Sequence, residues 1–357
     1  MGFALTDLLI LLAAFALLSS ITDRHFIPSL EYLATRMRMT SDMAGATLMA
    51  VGSSAPELFT SFLALVKGME HSTLGAGTIV GSALFNLLVI VGASALVRPI
   101  QLTWQPALRD LSFYLATVGL LYLTLQDGQI TLWEAIGCVG FYGLYLLAIP
   151  LWKKAFPYEA QIHDESPEKE EEDTPPTSLW GRVNAVVDVV VDLPFKLLGG
   201  KPHHYAFQFF YSIVGIALLS WILVEAGVDL ATSLGIPGAV IGLTVLAVGT
   251  SVPDLISSIQ VARRGLGDMA VANAVGSNVF DILVGLGLVW LVMVIWNGQP
   301  VIVPMQDLNY SVLLLLGSVA LMLAVFLLRR WRLGRLTGGI LVFLYLAFVA
   351  QQISQQF

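Results

Sequence analysis

Ten times along this chain an apolar run reaches roughly the 20 residues that a helix needs to cross the hydrocarbon of a bilayer. The runs cover 3–21, 43–67, 72–97, 107–126, 131–152, 205–226, 238–262, 268–295, 308–329 and 336–353. Lipid offers no partner to bare backbone groups, so each run is read as a helix, whose hydrogen bonds close internally. The expected fold is an all-α membrane protein. Composition agrees: 57% of the 357 residues are apolar and 12% are charged, about half the charged share of a soluble domain. No basic residue precedes the first apolar stretch, Leu8 to Leu18, which favours a retained span over a cleaved signal peptide.

The longest gap, 153–204, splits the spans five and five. With ten crossings, both termini share one side with the loops after spans two, four, six and eight. That side holds one basic residue, Lys67. The other side holds the remaining 17 of the 18 Lys and Arg, with Arg109 at the start of span four among them. Basic residues collect on the cytoplasmic side. The chain is therefore expected as a multi-pass protein of the plasma (inner) membrane, with both termini outside and the 153–204 loop cytoplasmic. Within that loop, Asp164 to Asp173 is an acidic run without fixed ligand geometry, expected to be a disordered tether rather than a calcium sensor. Beyond it, Trp180, Val183, Val187, Val190 and Val191 fall near one helical face, the pattern of a helix lying on the membrane surface. A plain connector fits that segment equally. The single cysteine, Cys138, lies in an apolar run and reads as a small packing residue.

The chain repeats itself. Residues 45–61 read GATLMAVGSSAPELFTS and residues 242–258 read GLTVLAVGTSVPDLISS, identical at nine of 17 positions. A second match follows each, TIVGSALFN at 78–86 and NAVGSNVFD at 273–281. Five spans per half make the second copy enter the membrane from the opposite side. The expected organisation is two inverted five-helix repeats, 1–152 (core 43–97) and 205–357 (core 238–295), joined by the 153–204 loop.

Most acidic residues lie in loops or at span ends. Three do not: Glu57, Asp254 and Asp281 sit near the middles of spans two, seven and eight, and Asn86 holds the matching midpoint of span three. A charge at the bilayer centre is costly unless compensated. None of the 18 Lys and Arg lies near a span centre, and all five histidines fall outside the spans. The missing positive charge must then come from solution, as protons or metal ions.

The neighbouring residues narrow the choice. Ser53 and Ser54 precede Glu57 by four and three positions, as Thr250 and Ser251 precede Asp254. Ser82 and Ser277 precede Asn86 and Asp281 by four. Such spacings put hydroxyl and carboxylate on one helix face. Pro56 and Pro253 each remove an intrahelical bond, which frees carbonyls around Ala50–Gly52 and Ala247–Gly249. The resulting set is hard oxygen throughout, which calcium and sodium accept; zinc and copper would want His or Cys. Packing is the competing explanation for small polar residues in membrane helices. It is preferred for Gly77, Gly81, Gly285 and Gly287, whereas ligation is preferred for the hydroxyls. No nucleophile–base pair lies in the spans, so an enzyme is not expected. Nor is a resident cofactor, a nucleic acid or an obligate protein partner.

At these residues the chain resembles the cation/calcium exchanger superfamily, through GSSAPELF and GTIVGSALFN in the first half and GTSVPDLI and GSNVFDI in the second. The segment VARRGLGDMAV (261–271) running into VGSNVFDILVGLG (275–287) is most similar to the potassium-dependent sodium/calcium exchangers. The resemblance implies a secondary active antiporter that exchanges sodium for calcium by alternating access, with spans one and six sliding past the rest. It implies Glu57 and Asp254 as paired acids at the cation sites, and Ser53, Ser54, Thr250 and Ser251 as hydroxyl ligands. Ala50 and Ala247 would give backbone carbonyls, and Ser82, Asn86, Ser277 and Asp281 the contributions of spans three and eight. An acid at Asp281 resembles the potassium-dependent branch, which leaves potassium co-transport open. A proton/calcium antiporter and a cation channel stand as alternatives.

Overall fold

The computed structural model describes residues 2–55, 57–58, 61, 79–159, 179–200, 204–233, 235, 247–303 and 308–354. Pro56, Gly77, Lys67 and the acidic run 164–173 lie outside the described residues, as do parts of the spans expected at 43–67, 72–97 and 238–262. What is described is almost wholly helical. The principal helices are α1 (Gly2–Ile21), α2 (Ile27–Arg36), α3 (41–53), α4 (Ile79–Val97), α5 (Trp104–Leu125), α6 (Leu132–Ala155) and α7 (Leu179–Leu197). They continue with α8 (Tyr205–Ser233), α9 (Val252–Arg263), α10 (Gly267–Asn297), α11 (Leu308–Leu328) and α12 (Arg335–Ser354). By length and composition, five helical stretches among the described residues suffice to cross a membrane: α4, α5, α6, Tyr205–Leu230 and α10. Thr6–Leu18, Val312–Leu328 and Arg335–Gln351 are shorter apolar stretches.

Local chemistry sets several boundaries. The start of α6 is fixed by a capping box: Thr131 N donates to Glu134 Oε2 at 2.8 Å, and Glu134 N to Thr131 Oγ1 at 3.4 Å. Gly298, at φ +65°, ends α10 in a left-handed turn that a side chain would disfavour. Short antiparallel ladders join the two halves at helix ends. Strand β1 (Ile100–Gln101) pairs with β4 (Arg332–Leu333), and β2 (Gln129–Ile130) pairs with β3 (Val301–Ile302). Each ladder takes one strand from each half, and exchanging the halves maps one ladder onto the other.

The buried apolar side chains form two clusters. The larger joins α4, α5, α6, α10, α11 and α12 through residues such as Leu87, Tyr114, Tyr145, Trp290 and Phe326. The smaller joins α1, α2, α7 and α8 to α3 and the ends of α9 and α10 through Leu18, Phe26, Leu30, Met49, Val191, Phe209 and Ile216. Outward-facing apolar side chains such as Leu147, Leu151, Phe210, Phe343 and Leu346 stay exposed, as a lipid-facing belt requires.

Helices α3 and α10 cross with their backbones almost touching. A Cβ at Gly276 would stand 2.8 Å from Ala46 Cα, and one at Gly45 would stand 2.5 Å from the Met269 carbonyl oxygen. Gly276→Val should therefore lower stability by about 1–3 kcal/mol through overpacking. A thermal denaturation in detergent that matches the parent protein would contradict this crossing. The expected packing role of Gly287 also holds: its Cβ would meet that of Cys138 at 2.7 Å. Cys138 is buried there, a packing residue as its apolar context implied.

Candidate functional site

Matched irregularities in the two halves build the site. Helix α3 stops at Ser54 (φ −87°, ψ +9°), and the short turn Ala247–Thr250 stops at Ser251 (φ −85°, ψ +5°). After that break α9 begins afresh, with Pro253 in its first turn, where a proline costs no hydrogen bond. Asn86 and Asp281 are likewise matched: each opens a wide π-helical turn, Asn86–Ile90 in α4 and Asp281–Leu286 in α10. Such turns recur at functional sites.

Glu57, Asp254, Asp281, Asn86, Ser53, Ser54, Thr250, Ser251, Ser82 and Ser277 are all fully buried. The breaks alter how the hydroxyls are used. Spacing along a continuous helix pairs each hydroxyl with the acid three or four residues on; the structure pairs them across the halves instead. Ser251 Oγ donates to Glu57 Oε1 at 3.1 Å, and Thr250 supports the same carboxylate. Ser53 Oγ bonds Asp254 Oδ1, and Ser54 stands beside Asp281. The chain turns between each hydroxyl pair and the following acid, so the one-face geometry of an unbroken helix does not apply.

Asp254 draws further donors. Asn273 Nδ2 reaches its Oδ1 at 3.2 Å and Ser258 Oγ at 3.0 Å. Asn86 Nδ2 donates to Ser277 Oγ at 3.1 Å and to Asn278 Oδ1 at 3.0 Å, and lies 3.5 Å from Asp254 Oδ2. Asn278 in turn donates to the Ala83 carbonyl at 3.0 Å. Ser82 Oγ turns back to the Ile79 carbonyl at 3.0 Å. The Ala50 carbonyl accepts from Ser54 N at 3.0 Å; that of Ala247 accepts from Ser251 N at 3.4 Å and lies 3.5 Å from Thr250 Oγ1. Neither carbonyl is bare, as the proline argument had it. A carbonyl oxygen has two lone pairs, so a carbonyl that accepts one hydrogen bond can still face a cation.

Asn273, Asn278 and Ser258 were not anticipated. The available signal was polarity within a run where every residue is buried: all of 267–280 is enclosed, and an amide there needs a reason.

Five oxygen atoms of the cluster are buried with no hydrogen-bond partner among the described residues: Glu57 Oε2, both oxygens of Asp281, Asn86 Oδ1 and Ser54 Oγ. The three carboxylates act on one another electrostatically. No ion pair to any of them is formed among the described residues. Nor does any group of three His, Cys, Asp or Glu among those residues converge to chelate one metal. A cation here would be met by a mixed set of carboxylate, amide and hydroxyl oxygens, the environment of alkali and alkaline-earth ions.

A mostly helical membrane body that buries three acids together, with no basic partner among the described residues, is a membrane protein built to meet cations. Residues 7–149 and 204–354 match the sodium/calcium exchanger protein family, and the chain belongs to it. The chain is 29% identical to human (Homo sapiens) sodium/potassium/calcium exchanger 4, in an alignment covering all of this chain and 82% of that protein. It is 26% identical to chicken (Gallus gallus) sodium/potassium/calcium exchanger 1, with 98% and 78% covered. A solved structure of the sodium-calcium exchanger NCX_Mj, soaked with 10 mM sodium and no calcium, superposes with a TM-score of 0.65 at 23% identity over 98% of each chain.

Proposed function

We propose that this protein exchanges sodium for calcium across the membrane by alternating access, with the buried acid cluster as the cation site. The observation that carries the reading is the set of oxygens on Glu57, Asp281, Asn86 and Ser54 left unpartnered among the described residues. Buried acceptors are normally satisfied, and a coordinated cation satisfies all of these at once. Glu57 and Asp254 supply the principal charges. Ser53, Ser54, Thr250, Ser251, Ser82, Ser277 and Asn86 supply neutral oxygens, with the Ala50 and Ala247 carbonyls behind them.

Coupling follows from electrostatics. An unloaded cluster carries up to three buried negative charges, and buried unpaired charge is costly to enclose. The protein then changes sides only when loaded, which ties sodium movement one way to calcium movement the other. Ten spans arranged as inverted repeats 1–152 and 205–357 place the cluster at their shared centre. The half-for-half exchange of the two ladders and the matched breaks at Ser54 and Ser251 support that organisation. The basic 153–204 side is cytoplasmic and both termini are outside, in the plasma (inner) membrane.

Potassium co-transport is a second reading, favoured by Asp281. It brings a third carboxylate whose two oxygens both lack a partner among the described residues, and the named relatives include sodium/potassium/calcium exchangers. The test is calcium uptake into sodium-loaded vesicles containing the purified protein, with and without potassium, and with an imposed pH gradient as control. Uptake should follow the sodium gradient. Uptake that follows protons and ignores sodium would instead make the protein a proton/calcium antiporter, and flux without countertransport would make it a channel. Asp281→Asn should remove any potassium stimulation while keeping sodium-driven calcium uptake; stimulation that survives the substitution would eliminate Asp281 as its source.

A further inference from the structure

Helix α7 lies in the segment between the two halves and has two unlike faces. One is fastened to the ends of α1 and α8. Asp188 Oδ1 accepts from Ser20 Oγ at 2.7 Å, and Asp188 Oδ2 lies 3.5 Å from Arg24 Nη1. Asp192 takes a two-pronged bond from Arg24, Nη2 to Oδ2 at 2.7 Å and Nε to Oδ1 at 3.2 Å, and its Oδ1 lies 3.0 Å from His25 Nε2. Tyr211 of α8 donates to the Val191 carbonyl at 2.7 Å. Val191 and Phe195 are buried in this joint, with the Phe195 ring 4.7 Å from His25 and 5.3 Å from Tyr211.

The opposite face is aliphatic and bare: Val186, Val189, Val190, Leu193, Leu197 and Leu198 are 51–76% exposed. The single face expected from the sequence is thus two, since Val191 turns inward and Val190 outward; the side chains of Trp180 and Val183 lie outside the described residues. The bare face continues the exposed apolar belt of α1 (Leu8, Leu9, Leu12) and α8 (Phe210, Val214). Both aspartates of α7 point into the joint, and Lys196 Nζ lies 3.9 Å from Asp192 Oδ2 at its exposed rim. An aliphatic face with an exposed lysine at its rim suits the boundary of a leaflet containing acidic phospholipid.

We propose that α7 is an interfacial strap: its aliphatic face is seated in the acidic leaflet, and its two aspartates clasp α1 and α8, holding that pair at fixed depth. The pair shares the smaller apolar cluster with Val191 of the strap, and in that cluster it borders α3 and the ends of α9 and α10 of the remaining body. The consequence for transport rate rests on the exchanger reading, in which α1 and α8 slide past that body. A strap at fixed depth opposes the slide, so releasing it speeds turnover.

Two measurements on the full-length protein in phosphatidylcholine–phosphatidylglycerol vesicles decide this. Cys138 is buried, so a fluorophore can be placed at Leu193→Cys alone. Its emission should be quenched by lipids brominated high on the acyl chain and shielded from aqueous iodide; the reverse pattern overturns the seating, whether or not the protein exchanges ions. In the second, Asp188→Ala combined with Asp192→Ala should raise the maximal sodium-driven calcium uptake rate about fivefold or more, the low end of coupling between distinct parts of a protein, with the calcium KM unchanged. An unchanged or lower rate from equally abundant protein overturns the clasp. If the parent protein shows no sodium-driven uptake, the exchanger reading fails, while the quenching result still decides where α7 lies.

Discussion

Glu57→Gln protein should insert and fold normally and lose sodium-driven calcium uptake. Glu57 is fully buried; its Oε1 accepts from Ser251, and its Oε2 has no partner among the described residues. Glutamine has the same shape, and its carbonyl oxygen can still accept from Ser251. What it removes is one negative charge. At 4 Å and an effective dielectric of about 20, a unit charge pair is worth about 4 kcal/mol, on the order of a thousandfold in affinity. The cation-free variant should be at least as stable as the parent, because one of three mutually repelling carboxylates is gone. Calcium should no longer raise its melting temperature, whereas the parent gains about 2.7 kcal/mol at a calcium concentration 100 times Kd. Calcium uptake at the parent rate, or a persistent calcium-induced shift, would eliminate Glu57 from the site.

Much of this was legible because lipid is a demanding solvent. An acid inside an apolar run stands out against a background that tolerates almost no charge, so Glu57, Asp254 and Asp281 could be picked out before any coordinates. The internal repeat then located Asn86 and the paired hydroxyls. The helix breaks were less legible. Pro253 announced a disturbance, but a proline inside a helix and one that opens a new helix look alike in sequence. The difference decides which acid each hydroxyl meets: Ser251 turns to Glu57, not to Asp254 three residues on. Asn273 and Asn278 were missed because a lone amide in a membrane helix has many packing explanations. Only its position opposite Asp254 or Asn86 distinguishes it, and that position comes from the packing of α10 against α9 and α4.

The other residue that depth alone misjudged is Arg109. Counted among the cytoplasmic bases, it was expected at a water-facing helix end, yet it is completely buried in the second turn of α5. It does not neutralise the cation site. Its Nε donates to Asp110 Oδ1 at 2.8 Å and its Nη2 to Asp110 Oδ2 at 3.0 Å, with Asp42 Oδ2 at 3.4 Å. Tyr145 donates to Asp110 at 3.0 Å and Tyr158 to Asp42 at 2.7 Å. The network ties α5 and α6 to the start of α3, the helix that carries Ser53. Arg109→Met should therefore destabilise the protein by about 3–5 kcal/mol, the usual cost of stranding buried carboxylates. Apparent melting temperature and the monodisperse fraction in detergent should both fall. Adding Asp110→Leu and Asp42→Asn to Arg109→Met should recover most of the loss, because a well-packed apolar substitute is often as stable as a buried ion pair. Should Arg109→Met alone melt with the parent, this network would have no part in holding α3 in place. The orientation of Ser53 toward Asp254 would then have to come from the Gly45 and Gly276 crossing by itself.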